Sequence, residues 1–337
     1  MTKLSLLDLV PVTEGGSVSQ SLANAADMAR HAEHLGFTRY WTAEHHGMEG
    51  IASAATSVVI GHVAAATATI RVGAGGIMLP NHAPLVIAEQ FGTLDALFPG
   101  RIDLGLGRAP GSDQRVAAAL RRTLDSDPNA FPRDVVELQS YFAGADSSGG
   151  RTGIRATPGA GADVRIYILG SSLFGAQLAA ALGLPYAFAS HFAPAALDEA
   201  LAIYRERFEP SEVLDEPYAI CGFNVFAADS EEEAEYLASS MQQSFVALRS
   251  GHPGKLKPPV RGYRESLPPQ YGQMLDGVLA ATATGTADQV QGKVAAFVDR
   301  TRADELILTS AIFDHEARKK SLTIAAEAFS DTPRIAP

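Results

Sequence analysis

The sequence repeats one unit about eight times, a short apolar strand-like run followed by a stretch with helical periodicity. Strands that alternate with helices over short connections pair in parallel, which leaves an open doubly wound sheet or a closed barrel. Eight units in 337 residues, with no break that looks like a linker, favour a single α/β domain over 1–337, a (β/α)₈ TIM barrel. The predicted strands are 4–10, 39–44, 70–77, 101–107, 164–169, 185–190, 218–227 and 305–311.

Capping residues predict several helix ends. Ser17 and Ser230 each precede a helical stretch with the spacing of a capping box, and Pro84 suits the first turn of a helix. Two less regular insertions, about 124–161 and 250–284, fall outside the repeat. The first part of the second insertion, 250–270, contains five prolines. In barrels such insertions often cover the active site, although a plain surface loop fits the second segment equally well.

Charge and composition exclude several classes of function. The net charge of −11 argues against binding to nucleic acid, whose backbone requires basic patches. Cys221 is the only cysteine, which excludes a disulfide framework and a multi-cysteine metal site, and we expect no metal. Apolar runs such as 54–68 are interrupted by polar residues, and the N-terminus lacks a signal-like segment. The sequence therefore predicts a cytoplasmic protein without a membrane span.

Polar and glycine-rich residues cluster where the predicted strands end, which is where a barrel carries its reactive groups. The second strand runs into Glu-His-His at 44–46, and the third ends in Gly-Ala-Gly-Gly at 73–76. The fourth ends in the glycine-rich 105–111, and the fifth is followed by Gly-Ser-Ser at 170–172. These four strand ends contain the candidate functional residues.

The helix start after the fifth strand predicts an anion site. Free backbone N–H groups and the positive end of a helix dipole attract an anion, and 170–172 supplies both. Arg108, at the end of the preceding strand, is placed to reach the same anion with its two-pronged guanidinium. The same residues also fit ordinary capping of the helix by Ser171, with Arg108 paired to a surface carboxylate. Spacing alone leaves both interpretations open.

His45 and His46 favour acid–base chemistry over a metal centre. Neighbouring residues on a regular strand point to opposite faces, so two adjacent histidines do not aim at one ion as a His-x-His pair does. One of them suits a lone acid–base group at a strand end, because the pKa of histidine lies near neutrality. A purely structural histidine also fits this position.

One combination of motifs extends over nearly the whole chain. It consists of Tyr-Trp-Thr-Ala-Glu-His-His at 40–46, Ile-Arg-Val-Gly-Ala-Gly-Gly-Ile-Met-Leu-Pro at 70–80, Pro84, Phe-Pro-Gly-Arg-Ile-Asp-Leu-Gly-Leu-Gly-Arg at 98–108, Tyr-Ile-Leu-Gly-Ser-Ser at 167–172 and Gly-Thr-Ala-Asp at 285–288. In this order the motifs resemble the bacterial luciferase-like monooxygenase family. The two irregular segments match the family least.

The resemblance implies a barrel that binds FMN or a deazaflavin coenzyme at its carboxyl-terminal mouth. In the family the flavin ring lies against the end of the third strand, which Ala74, Gly75 and Gly76 match. The family often has a non-prolyl cis peptide there, and Gly75–Gly76 is the matching bond. His45 matches the histidine beside the reactive face of the flavin.

Further positions match the family's contacts with the flavin phosphate. Arg108 matches the arginine that holds the phosphate, and Arg133 falls where luciferase has a second arginine on the same side. The phosphate-binding turn is matched by Gly170, Ser171 and Ser172. These residues are therefore expected to bind the cofactor.

The resemblance predicts a two-component monooxygenase that uses reduced FMN and dioxygen on a small organic substrate, and it implies a homodimer. The sequence has no Gly-x-Gly-x-x-Gly strand-to-helix motif for NADH, so we expect a separate flavin reductase. Gly107 stands where luciferase has a reactive cysteine, which argues against light emission and long-chain aldehyde substrates. Two alternatives stay open: a deazaflavin-dependent dehydrogenase on the same barrel, and a non-catalytic flavin-binding barrel.

Overall fold

The computed structural model describes residues 2–108, 114–120, 130–143 and 153–330. The strands are β1 (Lys3–Leu7), β2 (Arg39–Thr42), β3 (Arg71–Met78), β4 (Ile102–Gly107), β5 (Arg165–Gly170), β6 (Tyr186–Phe188), β7 (Ala219–Ala227), β8 (Thr282–Gly285) and β9 (Glu305–Thr309). The helices are α1 (Val18–His34), α2 (Thr56–Ala66), α3 (Pro84–Leu97), α4 (Gln114–Leu120), α5 (Phe131–Phe142), α6 (Leu173–Ala181), α7 (Leu197–Glu206), α8 (Glu231–Arg249), α9 (Pro269–Val278), α10 (Ala287–Thr301) and α11 (His315–Ser330). Over these described ranges, no helix has the length and apolar character needed to cross a membrane.

Eight of the strands close into a parallel barrel, which confirms the predicted fold. β1 pairs with β2, and the pairing continues in order through β3, β4, β5, β6 and β7. β9 lies between β7 and β1 and closes the ring. The main core is the apolar layer between the barrel and its surrounding helices, with side chains such as Ile60, Phe91 and Leu104.

The first predicted strand, 4–10, is too long at its carboxyl end. β1 ends at Leu7, because the Asp8 carboxylate accepts a hydrogen bond of 2.8 Å from the backbone N–H of Val10. Val10 then takes a φ of 52°, which lies in the left-handed region. A short polar side chain that captures a nearby backbone N–H competes with strand pairing in this way.

The segment 250–284, expected to be less regular, contains both α9 and β8, so the prediction is wrong for its second half. β8 pairs with 224–227 of β7 and so continues from Asn224, the last residue of β7 that pairs with β9 in the barrel. Its sequence, Thr-Ala-Thr-Gly, includes two residues that strands disfavour and is too short to show alternation. α9 begins directly after Pro268, with Pro269 in its first turn.

The predicted helix starts at Ser17, Ser230 and Pro84 are confirmed. The Ser17 hydroxyl accepts a hydrogen bond of 3.2 Å from the Gln20 N–H, and the Ser230 hydroxyl accepts one of 3.3 Å from the Glu233 N–H. α3 begins at Pro84 itself. The two serines accept hydrogen bonds from N–H groups that a helix start leaves without a partner, and Pro84 has no N–H group to satisfy.

Buried charges close the amino-terminal end of the barrel interior. Arg39 donates to both carboxylate oxygens of Glu305, at 2.7 and 2.9 Å, and to Oδ2 of Asp103 at 2.8 Å. Burial alone would lower the pKa of the Arg39 guanidinium, but the charges of Asp103 and Glu305 raise it above its usual value. All three side chains are buried, so each charge depends on its partners.

Neighbouring side chains satisfy the remaining oxygens of these two carboxylates. Arg71 donates to Oδ1 of Asp103 at 2.7 and 2.8 Å, and the indole N–H of Trp41 donates to Oδ2 at 3.0 Å. The Tyr218 hydroxyl donates to Glu305 at 2.7 Å. Because this end of the interior is filled, a ligand must approach from the carboxyl ends of the strands, as in barrel enzymes generally.

Candidate active site

The predicted site residues lie at the carboxyl ends of four neighbouring strands. His45 follows β2, 74–76 lies just before the last two residues of β3, Arg108 directly follows β4, and 170–172 joins β5 to α6. Parallel strands of a barrel present their carboxyl ends on one face, so these residues surround a single mouth. The rest of the fourth predicted strand end, 109–111, lies outside the described residues.

The structure corrects the argument that separated the two histidines. β2 ends at Thr42 rather than Glu44, so His45 and His46 lie in a loop and do not alternate between strand faces. Their surroundings nevertheless differ. Nε2 of His46 lies 2.8 Å from Oε1 of Glu44. His45 lies near His191, whose pKa is lowered to about 4, first by burial and second by the charge of His45.

The end of β3 has the cis peptide bond that the resemblance implies, between Gly75 and Gly76. The register with β4 shifts at this point. Gly75 lies opposite Gly105 and Ile77 lies opposite Leu106, which leaves Gly76 as an extra residue. A Cβ atom on Gly76 would lie 2.7 Å from the carbonyl oxygen of Gly105, so a larger residue does not fit. Backbone without side chains therefore lines this part of the mouth.

The start of α6 has no side-chain cap. Ser172 is the N-cap residue and has an extended backbone, but its side chain makes no capping hydrogen bond. Capping by Ser171, one of the two interpretations left open by the sequence, is therefore not what the structure shows. Ser171 and Ser172 are both exposed. An uncapped, exposed helix start offers N–H donors and a partial positive charge to an anion.

Arg108 lies beside this helix start. Its guanidinium carbon is 4.1 Å from the centre of the Phe174 ring, which belongs to the first turn of α6. The cation is held there by the face of the aromatic ring. Two positive features side by side, the guanidinium and the helix start, favour a shared anionic ligand.

Arg133 belongs to the neighbouring helix start. It is exposed in the first turn of α5, and Phe131 from the same turn lies 6.5 Å from Phe174 between ring centres. The starts of α5 and α6 are therefore adjacent. This placement brings Arg133 to the side of the mouth where Arg108 lies, and its contact with a ligand stays a prediction.

Glu44 ties the loops after β2 and β3 together. Its Oε1 lies 2.8 Å from Nε2 of His46 and accepts from Nδ2 of Asn81 at 3.1 Å. Its Oε2 accepts from the backbone N–H of Met78 at 3.0 Å and lies 2.9 Å from Nε2 of His82. Burial would raise the pKa of this carboxyl, but His82 and the other donors lower it. Glu44 is therefore ionised at neutral pH and fixes its neighbours.

Sequence reasoning missed two features of the mouth. His191 follows the predicted strand 185–190 as directly as His45 follows the second strand, so the same strand-end criterion would have found it. The contact between Glu44 and His82 has no comparable signal, because the two residues are 38 positions apart in the chain. Only the folded barrel brings them together.

Comparison with known proteins agrees with this geometry. The sequence pattern of the luciferase-like monooxygenase family matches residues 2–304. The chain belongs to this family. A luciferase-like monooxygenase of Escherichia coli is 51% identical over 325 residues, which cover 96% of each chain. The solved structure of apo-MsnO8 has a TM-score of 0.86 at 33% identity and covers 99% of this chain and 100% of that one.

Other relatives carry names that bear on chemistry. An N-acetyl-S-alkylcysteine monooxygenase of Bacillus subtilis is 32% identical over 86% of this chain and 88% of its own. The oxygenating constituent of a Pseudomonas putida 3,6-diketocamphane monooxygenase, solved with FMN, has a TM-score of 0.71 at 17% identity and covers 97% of each chain. An F420-dependent secondary alcohol dehydrogenase has a TM-score of 0.65 at 14% identity, covering 97% and 98%. The last two show a shared fold alone.

Proposed function

We propose that this protein is the oxygenase of a two-component system, which binds reduced FMN at the barrel mouth and uses dioxygen to oxidise a small organic substrate. The observation that carries the proposal is the uncapped start of α6 with the Arg108 guanidinium beside it. Membership of the luciferase-like monooxygenase family and the FMN complex of a barrel with the same fold support it.

The mouth fits a ligand with a phosphate at one end and a flat ring at the other. We assign the phosphate to 170–172, Arg108 and Arg133, because the two neighbouring helix starts concentrate positive charge there. We assign the ring to 74–76, where the close approach of β3 and β4 leaves backbone without side chains. Glycine at this place lets a flat ligand lie directly against the strand end.

Reduced FMN would supply the electrons that activate dioxygen. The chain's own residues bind and orient the reactants and move a proton. We assign that proton transfer to His45, which is half-buried at the mouth and has a side chain suited to acid–base work near neutral pH. Ionised Glu44 holds His46 and His82 in place next to His45.

We assign the reduction of FMN to a separate flavin reductase, because the sequence lacks the glycine-rich strand-to-helix motif expected for NADH. The homodimer implied by the resemblance is likewise a proposal, which sedimentation of the purified protein tests. N-acetyl-S-alkylcysteines are the first substrates to try, because a relative 32% identical is named for them.

A comparison of FMN with riboflavin tests the phosphate assignment. Arg108→Ala should weaken FMN binding by about 1.5–3 kcal/mol, the usual contribution of a hydrogen bond to a charged group, and leave riboflavin binding unchanged. Riboflavin carries the same ring but no phosphate, so the contrast isolates the phosphate contact. Titration calorimetry measures both affinities. Arg165→Ala is the matched control, because Arg165 is exposed at the opposite end of the barrel and should affect neither ligand.

Equal affinities of FMN and riboflavin for the unchanged protein would remove the phosphate assignment. Tight binding of a deazaflavin coenzyme in place of FMN would instead favour the dehydrogenase alternative. Flavin that binds but never turns over with reductase and oxygen, against a broad substrate panel, would favour a binding protein.

A further inference from the structure

His191 lies in the turn after β6, and its backbone is fixed on both sides by β7. The Ser190 hydroxyl donates to the carbonyl oxygen of Gly222 at 2.6 Å. Nδ2 of Asn224 donates to the carbonyl oxygen of His191 at 2.8 Å. Gly222 and Asn224 lie at the carboxyl end of the part of β7 that pairs within the barrel, so these contacts hold His191 at the mouth.

Gly222 makes room for the His191 imidazole. A Cβ atom at Gly222 would lie 2.1 Å from Nδ1 of His191, 3.0 Å from Cγ and 3.1 Å from Cε1. Ile220 belongs to the apolar cluster inside the barrel, whereas Cys221 belongs to the core outside it. By strand alternation Gly222 faces inward above Ile220. The imidazole therefore covers the inner wall of the mouth where β7 has no side chain.

The contact with Gly222 determines which nitrogen carries the proton. Among the described residues, Nδ1 of His191 is buried and has no hydrogen-bond partner. A proton on Nδ1 would point at the Gly222 backbone without an acceptor, which is costly in a buried position. The proton of the neutral ring therefore belongs on Nε2, at the edge turned away from Gly222. Burial and the charge of His45 keep the ring neutral by lowering its pKa to about 4.

His45 and His191 lie across the mouth from each other. His45 follows β2 and His191 follows β6, which is four strands further around a ring of eight. The charge of His45 nevertheless acts on His191, so the two side chains border the same space. A flavin ring that lies against the end of β3 and extends across the mouth would reach His191 on the opposite side.

We propose that His191 is a second mouth histidine, whose Nε2–H donates a hydrogen bond to an acceptor atom of the flavin ring, with Gly222 required for its position. This inference rests on the proposed function, since it assumes that a flavin occupies the mouth. It assigns His191 to the ring, whereas Arg108 serves the phosphate. Loss of His191 should therefore weaken the binding of riboflavin, whereas loss of Arg108 should not.

Titration with FMN and with riboflavin tests the proposal. His191→Ala should weaken both ligands to the same extent, by about 2- to 10-fold, which is the usual effect of one hydrogen bond. His191→Gln, which keeps an N–H donor near the same place, should recover part of the loss. Gly222→Ala should produce the same loss by displacing the imidazole, and the double variant should lose no more than either single variant. His62→Ala, an exposed histidine on α2, should change nothing.

Nitrogen NMR of histidine-labelled protein tests the position of the proton without any ligand. A neutral His191 with its proton on Nε2 is the expected result, and a proton on Nδ1 overturns the assignment even if Gly222→Ala fails to fold. FMN binding that depends on Arg108 but is indifferent to His191→Ala removes this inference alone. Failure of the unchanged protein to bind FMN removes the proposed function and this inference together.

Discussion

The two ends of the barrel interior use charge in opposite ways. At the amino-terminal end, buried Asp103 and Glu305 are balanced by Arg39 and by Arg71, so the charges there cancel. At the mouth, the Arg108 guanidinium lies beside the uncapped start of α6, so two positive features adjoin. From this comparison we propose that one end stabilises the fold and that the other binds an anionic ligand. Changes at the two ends should therefore have separable effects on stability and on function.

The largest effect is expected at the mouth, from His45→Ala. Loss of an acid–base group commonly slows a reaction by about 10²–10⁴-fold, so substrate oxidation should fall on that scale while the fold and FMN affinity persist. Uncoupled hydrogen peroxide should rise as product falls. NADH consumption, peroxide and product are measured together with a flavin reductase, with N-acetyl-S-methylcysteine as the first substrate.

His46→Ala is the matched control for His45, because the two residues share one loop. His46 contacts Glu44, which keeps its contacts with His82 and with the backbone of Met78, so its loss should slow oxidation by less than about tenfold. A variant series in which His46→Ala abolishes oxidation and His45→Ala does not would shift the assignment by one residue. No effect from either change would make the pair structural.

The next largest effect is expected at the closed end, from Arg39→Met. Removal of the guanidinium leaves buried Glu305 without the only charged partner it has among the described residues and takes one of two arginines from Asp103, which should lower the free energy of unfolding by about 3–5 kcal/mol. Urea unfolding followed by circular dichroism measures the change. The FMN affinity of the protein that remains folded should stay within about twofold, because Arg39 lies at the end of the interior away from the mouth.

Arg165→Met is the control for Arg39→Met, since Arg165 begins β5 at the same end of the barrel but is exposed. Its replacement should change the free energy of unfolding by no more than about 0.5 kcal/mol. Similar losses for the two arginines would show that the buried network does not carry the stability assigned to it.

The smallest effect concerns the pH dependence of stability and His191. Its pKa is lowered to about 4 in the folded chain, first by burial and then by the charge of His45, against about 6.5 when unfolded. The unfolded chain therefore binds the proton first as the pH falls. The contribution of neutral His191 to the free energy of unfolding is complete above about pH 6.5 and is lost as the pH falls towards 4.

Comparison of the unchanged protein with His191→Gln isolates this contribution. Between about pH 7 and about pH 5, the free energy of unfolding of the unchanged protein should fall by about 2 kcal/mol more than that of the variant. Urea unfolding at several pH values gives both curves. Parallel curves would mean that His191 has the same pKa in the folded and unfolded chains.

The sequence predicts the barrel well because its strands and helices differ in hydrophobic period. It predicts β8 poorly, because Thr-Ala-Thr-Gly is a strand only through pairing with the end of β7. It also places the end of β1 too late, since the turn depends on the Asp8 carboxylate and its hydrogen bond to the Val10 N–H. Local polar contacts of this kind decide the ends of elements and leave little trace in hydrophobic periodicity.

The candidate site shows the same limit. Motif order predicts the neighbourhood of His45, Arg108 and 170–172, because each follows a strand that the pattern reveals. The pairing of Glu44 with His82 depends on the relative placement of two loops, which no spacing along the chain encodes. The stacking of Arg108 on Phe174 arises in the same way.

The central claim is that the mouth holds reduced FMN for reaction with dioxygen. Stopped-flow mixing of oxygenated buffer with protein loaded anaerobically with reduced FMN tests it most directly, with the return of oxidised-flavin absorbance as the signal. We expect binding at the mouth to limit the access of water to the flavin, and we therefore predict a phase of reoxidation that free FMN lacks. That phase should vanish in Arg108→Ala at an FMN concentration that saturates only the unchanged protein. Reoxidation of bound FMN at the rate of free FMN, or bound flavin inert to oxygen, would contradict the account.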